Sequence, residues 1–157
     1  MTAVQRDSVG IRDDRTLAPV LRAAHRVWLR ETNRFLLPVI VWEGPFWDRW
    51  TAIRYLADPF LGQYRRERAL VEELRPFLPP EAGEQLAQDG ERISRLQIEL
   101  DRVGRMRGTA HSVSVLSREL LQSLRTWCDD IESTAGGISR DLLPEEGHKL
   151  VAGLESY

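Results

Sequence analysis

Charge inside an apolar stripe is the first place to look for chemistry in a helical chain, and two residues meet that description. At about 100° per residue, Glu31 falls between Ala24 and Phe35 at the middle of one apolar face, and Arg54 falls beside Trp50 and Ala57 on the next. A turn near residue 41 makes these two helices antiparallel neighbours. The spacing therefore predicts a partly buried ion pair between Glu31 and Arg54, since buried charges are normally paired. The alternative role for Glu31 is that of a ligand-binding, metal-binding or proton-carrying carboxylate in a bundle core.

Metal chemistry of the di-iron kind asks for Glu-x-x-His on two helices, and this chain has one such run, from Glu145 to His148. His25, His111 and His148 are its only histidines and Cys128 its only cysteine, so neither a histidine-rich nor a thiolate site is expected. No metal and no cofactor is predicted. Arg105 and His111 stand six apart where two helices meet, and this Arg-x5-His run resembles the signature of the HEPN ribonucleases. The resemblance covers those two residues. It implies an all-helical fold and metal-independent RNA cleavage by Arg105 and His111. Met106 departs from it, standing where a polar residue often follows the arginine. His111-Ser-Val-Ser lacks the lysine and glycine of phosphotransfer domains, and Gly136-Gly137 lacks the strand and lysine of a phosphate loop. Asp129-Asp130-Ile131-Glu132 reads as a solvated helix face.

Trp42, Phe46, Trp47 and Trp50 lie within nine residues around the first hairpin. Large aromatics are over-represented at the anchoring centres of protein interfaces, so the cluster marks a candidate interface, with Trp42 and Trp47 as the docking members. Packing of all four beneath the hairpin is the competing reading.

These side chains need helices to hold them. Residues 1 to 14 read as a flexible polar arm, and residues 15 to 157 as one domain. A first helix starts near Thr16 and ends or kinks at Pro38. A second opens at Gly44-Pro45 and is kinked at Asp58-Pro59, with Phe60, Tyr64, Val71 and Leu74 continuing its stripe. Leu86, Ile93, Leu96, Leu100 and Val103 give a third helix a heptad-like seam that Gly104 and Gly108 end. A fourth, over about Thr109 to Ser133, carries Val113, Leu116, Leu120, Leu124, Trp127 and Ile131 on one narrow face. Pro144-Glu145 opens a short last helix. The fold class predicted is all-α: an antiparallel bundle of four main helices plus the short C-terminal one.

Arginine carries almost all the positive charge, Lys149 being the one lysine, yet the net charge is −2. That argues against DNA, whose phosphates select a concentrated positive footprint, and leaves RNA only to the ribonuclease reading. The longest apolar run, Phe35 to Trp42, is broken by Pro38 and too short for a bilayer, and residues 1 to 14 lack a secretory signal, so a cytoplasmic protein with no membrane partner is expected. The functional expectation is a non-enzymatic helical module, a small subunit or adaptor acting through protein contacts or self-association. Its alternatives are the ribonuclease and a ligand or metal site around Glu31.

Overall fold

The computed structural model describes residues 15–42, 46–105 and 109–156, apart from the side chains of Trp42 and residues 46–48. The protein is all-α. Its helices are α1 (Ala18–Trp42), α2 (Phe46–Tyr55), α3 (Leu61–Leu74), α4 (Pro80–Arg105), α5 (Ala110–Ala135) and α6 (Glu145–Glu155). Among the described residues no helix is long and apolar enough to cross a membrane.

α5 is the central element, packing along both α1 and α4. Its start is set by Thr109, whose hydroxyl accepts from the Ser112 N–H at 3.1 Å and so satisfies one of the free donors of the first turn. Two sets of bonds fix it against α1. Leu17 and Ala18 N–H donate to the Ile138 and Gly136 carbonyls, both at 3.0 Å, beyond the end of α5. At the other end the Ser114 hydroxyl donates to the Ile40 carbonyl at 2.9 Å. The two helices therefore run in opposite directions. Against α4, the buried side chains Leu86, Ile93 and Leu100 continue the heptad read from the sequence, with Leu96 and Val103 partly buried beside them.

Two expectations are corrected. Pro38 neither ends nor breaks α1, which runs on to Trp42. Packing holds the helix through the missing donor, with Leu36 and Val39 buried on either side of the proline. Asp58-Pro59 sits not at a simple kink but in a π-helical turn, Leu56–Phe60, that joins α2 to α3 without interrupting the helical path. The wider turn admits a proline that an α-helical ladder would reject. Gly104 is the penultimate residue of α4, which ends at Arg105; it is also buried, and a Cβ there would overlap Ile53 of α2. Gly90 is packed in the same way on α4 two heptads earlier, where a Cβ would come within 2.9 Å of the Trp127 ring.

The core is continuous from Leu17, Leu21 and Trp28 of α1 through Phe60 and Leu74 to Leu120, Leu124 and Trp127 of α5. Val151 and Leu154 of α6 close it from the side of α1 and α3.

Candidate functional site

Two features stand out against this apolar background: a buried ionic cluster and an open cleft beside it. The cluster joins three helices. His25 of α1 is 2% exposed and Glu67 of α3 1% exposed. The His25 ring bonds to the Glu67 carboxylate through Nε2 and to Glu132 of α5 through Nδ1, the latter at 3.0 Å. The second Glu67 oxygen accepts from the Trp127 indole Nε1 at 3.2 Å.

Each ring nitrogen faces a carboxylate, so each is best served as an N–H donor, which requires the imidazolium form. Burial acts to lower the His25 pKa, but the charge and hydrogen bond of Glu67, reinforced by Glu132, outweigh it and hold the ring above its ordinary 6.5. A histidine with both nitrogens engaged and almost no exposure has no free lone pair to offer a substrate. Cys128, next to Trp127 in sequence, is likewise unsuited to attack. Burial raises its thiol pKa far above the usual value, and the nearby charges of Glu67, Glu132 and Asp129 raise it further. The cluster is a clasp that ties α1, α3 and α5 together.

The cleft lies between α1 and the α2–π-turn segment and encloses about 650 Å³. Val27, Phe35, Tyr55 and Pro59 form its apolar wall. Phe35 and Tyr55 stack with ring centroids 4.4 Å apart and planes 15° from parallel. The Tyr55 hydroxyl is fixed by Thr32 Oγ1 at 2.8 Å. Behind this pair, Phe60 meets Tyr55 edge-on at 6.2 Å and Trp28 at 5.2 Å, so an aromatic row runs from the cleft wall to the core beside His25. Polar groups reach the cleft from both sides: Glu31 from α1, Arg54 from α2 and Asp58 from the π turn.

The pair expected between Glu31 and Arg54 is therefore not buried. Both line the cleft, but Arg54 is exposed, the Glu31 side chain is 30% exposed, and its ion-pair neighbour is Arg30 at 4.0 Å. Contact between the two helices is made here by Thr32 and Phe35 with Tyr55, while Glu31 and Arg54 line the open cleft beside it. Arg105 is exposed at the end of α4, where its Nε donates to Asp101 at 2.9 Å and its guanidinium lies 5.8 Å from the Trp50 ring centre. His111 is exposed in the first turn of α5, and the segment between them, residues 106–108, is outside the described residues. Of the aromatic cluster, Trp50 is half-buried, while the side chains of Trp42, Phe46 and Trp47 are outside the described ones.

The acidic run also differs from the solvated face expected. Glu132 holds His25, and Asp130 meets Asp89 across the α4–α5 seam. Asp89 Oδ1 accepts from Gln85 at 2.9 Å, whereas its Oδ2 is buried without a nitrogen donor. A proton on Asp130 supplies the missing donor, and the hydrogen bond to Asp89, with burial and the charges of Asp89 and Asp129, pushes the Asp130 pKa up to about 6. Among the described residues no group of three or more His, Cys, Asp or Glu side chains is placed to hold a metal ion.

Sequence reasoning missed the clasp, although a signal was present. Glu67 occupies a core position of the stripe Phe60, Tyr64, Val71 and Leu74, and His25 lies one turn from both Leu21 and Trp28. No protein family matches the chain, and neither a curated protein nor a solved structure does.

Proposed function

We propose that this chain is a non-catalytic helical binding module whose ligand site is the cleft around Glu31. The ligand class is a small molecule with a flat apolar body and a cationic head. The observation that carries this reading is the combination of a stacked Phe35–Tyr55 wall with two carboxylates, Glu31 and Asp58, against one arginine. Apolar clefts of several hundred Å³ with a few convergent polar groups are the usual form of small-molecule sites. Aromatic faces and carboxylates both favour a cation. The π turn adds support, since such turns are frequent at functional positions.

The test is a thermal-shift comparison of three matched probes: phenethylamine, phenethyl alcohol and phenylacetate. The amine raises Tm by mass action, and Glu31→Gln abolishes that rise while the protein stays folded. A rise of equal size with the alcohol, or one unaffected by Glu31→Gln, overturns the reading.

A second reading, an adaptor or self-associating subunit, is favoured by Leu37 and Val41, 45% and 60% exposed and four residues apart on the stretch of α1 that leads into the Trp42–Trp50 segment. Sedimentation as a monomer, unchanged by Val41→Glu, sinks self-association through this face. We further infer that the helices form an antiparallel four-helix bundle and that residues 15 to 157 act as one cytoplasmic domain. The ribonuclease reading of Arg105 and His111 rests on their spacing alone.

A further inference from the structure

We infer a second docking surface, on the face formed by α3 and α4 away from the cleft, and assign it to an acidic amphipathic helix of a partner protein. Ile98 is 63% exposed, the most exposed large apolar side chain among the described residues. Two shallow grooves flank it. One, of about 410 Å³, lies between α3 and α4 and includes Leu61, Tyr64, Arg65 and Arg68. The other, of about 540 Å³, runs along α4 past Arg92, Arg95 and Leu96.

Arg65, Arg68, Arg92 and Arg95 are all exposed, and none of them makes an ion pair among the described residues. Arg68 lies over the Tyr64 ring at 5.8 Å, and both line the groove. The one carboxylate in the grooves, Glu99, is already committed to Arg102, whose Nε reaches it at 3.1 Å. The surface is thus a short apolar ridge, Ile98 and Leu61, framed by four cations that make no ion pair among the described residues, in a chain of net charge −2.

Charge complementarity selects an acidic partner. The apolar ridge selects one that also presents leucine-like side chains at helical spacing, the helix-in-groove mode, since a ridge of this kind gives nothing to a phosphate backbone. This inference is independent of the Glu31 cleft, which lies on other helices and calls for a cationic ligand.

The probe is a fluorescein-labelled synthetic peptide with leucines at i, i+3, i+4 and i+7 and glutamates between them, titrated with the full chain by fluorescence anisotropy. Competitors are the same peptide with its sequence shuffled and a single-stranded RNA oligonucleotide. The patterned peptide binds saturably, and the shuffled peptide and the RNA displace it at least about tenfold less well. Ile98→Asp, and separately Arg68→Glu with Arg95→Glu, weaken binding by about tenfold or more with helicity by circular dichroism unchanged. Saturable binding that Ile98→Asp leaves intact overturns the assignment. So does shuffled peptide or RNA that competes equally, which reports simple polyanion attraction, and so does the absence of any binding.

Discussion

α4 and α5 meet through small residues and periodic leucines, whereas α1, α3 and α5 add a buried ionic cluster to their apolar packing. In the first region Gly90 lets the Trp127 ring lie close on α4, as Gly104 does for Ile53 of the neighbouring α2, and Leu86, Ile93 and Leu100 fill the seam. In the second, His25 and Glu67 occupy positions where a helical core would accept leucine, and the partly exposed Glu132 completes the set. Both solutions are satisfied, but they differ in what they tolerate. A seam of apolar contacts degrades gradually as methyl groups are lost, while an ionic clasp fails abruptly once one member goes, because the remainder is left buried and unpaired. Trp127 belongs to both, with its ring over Gly90 and its N–H on Glu67.

The largest effect is therefore expected at Glu67. Glu67→Ala strands His25 and the Trp127 N–H and lowers stability by about 3–5 kcal/mol in urea denaturation. Replacing His25 and Glu67 together by leucine recovers most of that loss, since a well-packed apolar pair can match a buried ionic one. If the double variant is as unstable as Glu67→Ala, the clasp is more than an isolated ion pair.

The clasp also makes stability depend on pH. The folded-state pKa of His25 is raised above its unfolded value near 6.5, so its contribution is fully present below 6.5 and is lost as pH rises through the raised value. Tm measured across neutral to mildly alkaline pH falls in the native protein, and that component of the fall is missing from His25→Leu. A native profile that is flat, or that rises over this range, contradicts an imidazolium held by two carboxylates.

Smaller effects are expected from the apolar region. Gly90→Ala gains helix propensity but drives a methyl into the Trp127 ring, a rigid group held by Glu67, for a net loss of about 1–2 kcal/mol. Gly104→Ala is milder, because the overlap falls largely on the movable end of Ile53. Thr109→Ala removes the cap of α5 and lowers stability by about 1 kcal/mol by the same denaturation measurement. Should Gly90→Ala prove the more damaging of the glycine changes by a wide margin, the two regions are coupled through Trp127.

The same contrast explains what is legible in the chain itself. Periodicity finds α5 and the α4 seam because apolar side chains at regular spacing have one physical meaning. Proline and acidic residues also place the start of the last helix at Glu145, where both suit the first turn. Gly104 is legible as a helix-end signal but not as a packing site, nor is Gly90, because a helical glycine's close contacts are recognised only from what packs on it. Pattern places Glu31 beside the segment bearing Arg54, but not the cleft that both line, since hydrophobic pattern reports which face turns inward and not which side chains meet across it. Glu67 escapes notice because a single charge in a stripe is read from its partners, and those are remote: His25 lies 42 residues from Glu67 and 107 from Glu132.

The acidic contact at the α4–α5 seam gives the finest test of the comparison, because it puts a titrating group into the otherwise apolar region. Asp130 has its pKa raised from 3.8 to about 6, so folding favours its protonated form. The sign is that of a group whose contribution is present below 3.8 and lost as pH rises through 6. Above about pH 6 that contribution is gone, so Asp130→Asn, which keeps a donor facing Asp89 at every pH, raises Tm modestly at about pH 7 and leaves it unchanged at about pH 4. Opposite slopes are not expected from the two regions: His25 and Asp130 both lose their contribution on going alkaline, one near the clasp and one at the seam. The double variant His25→Leu with Asp130→Asn then has a flatter profile between about pH 5 and 8 than either single one, and a profile as steep as the native protein's places the controlling group elsewhere.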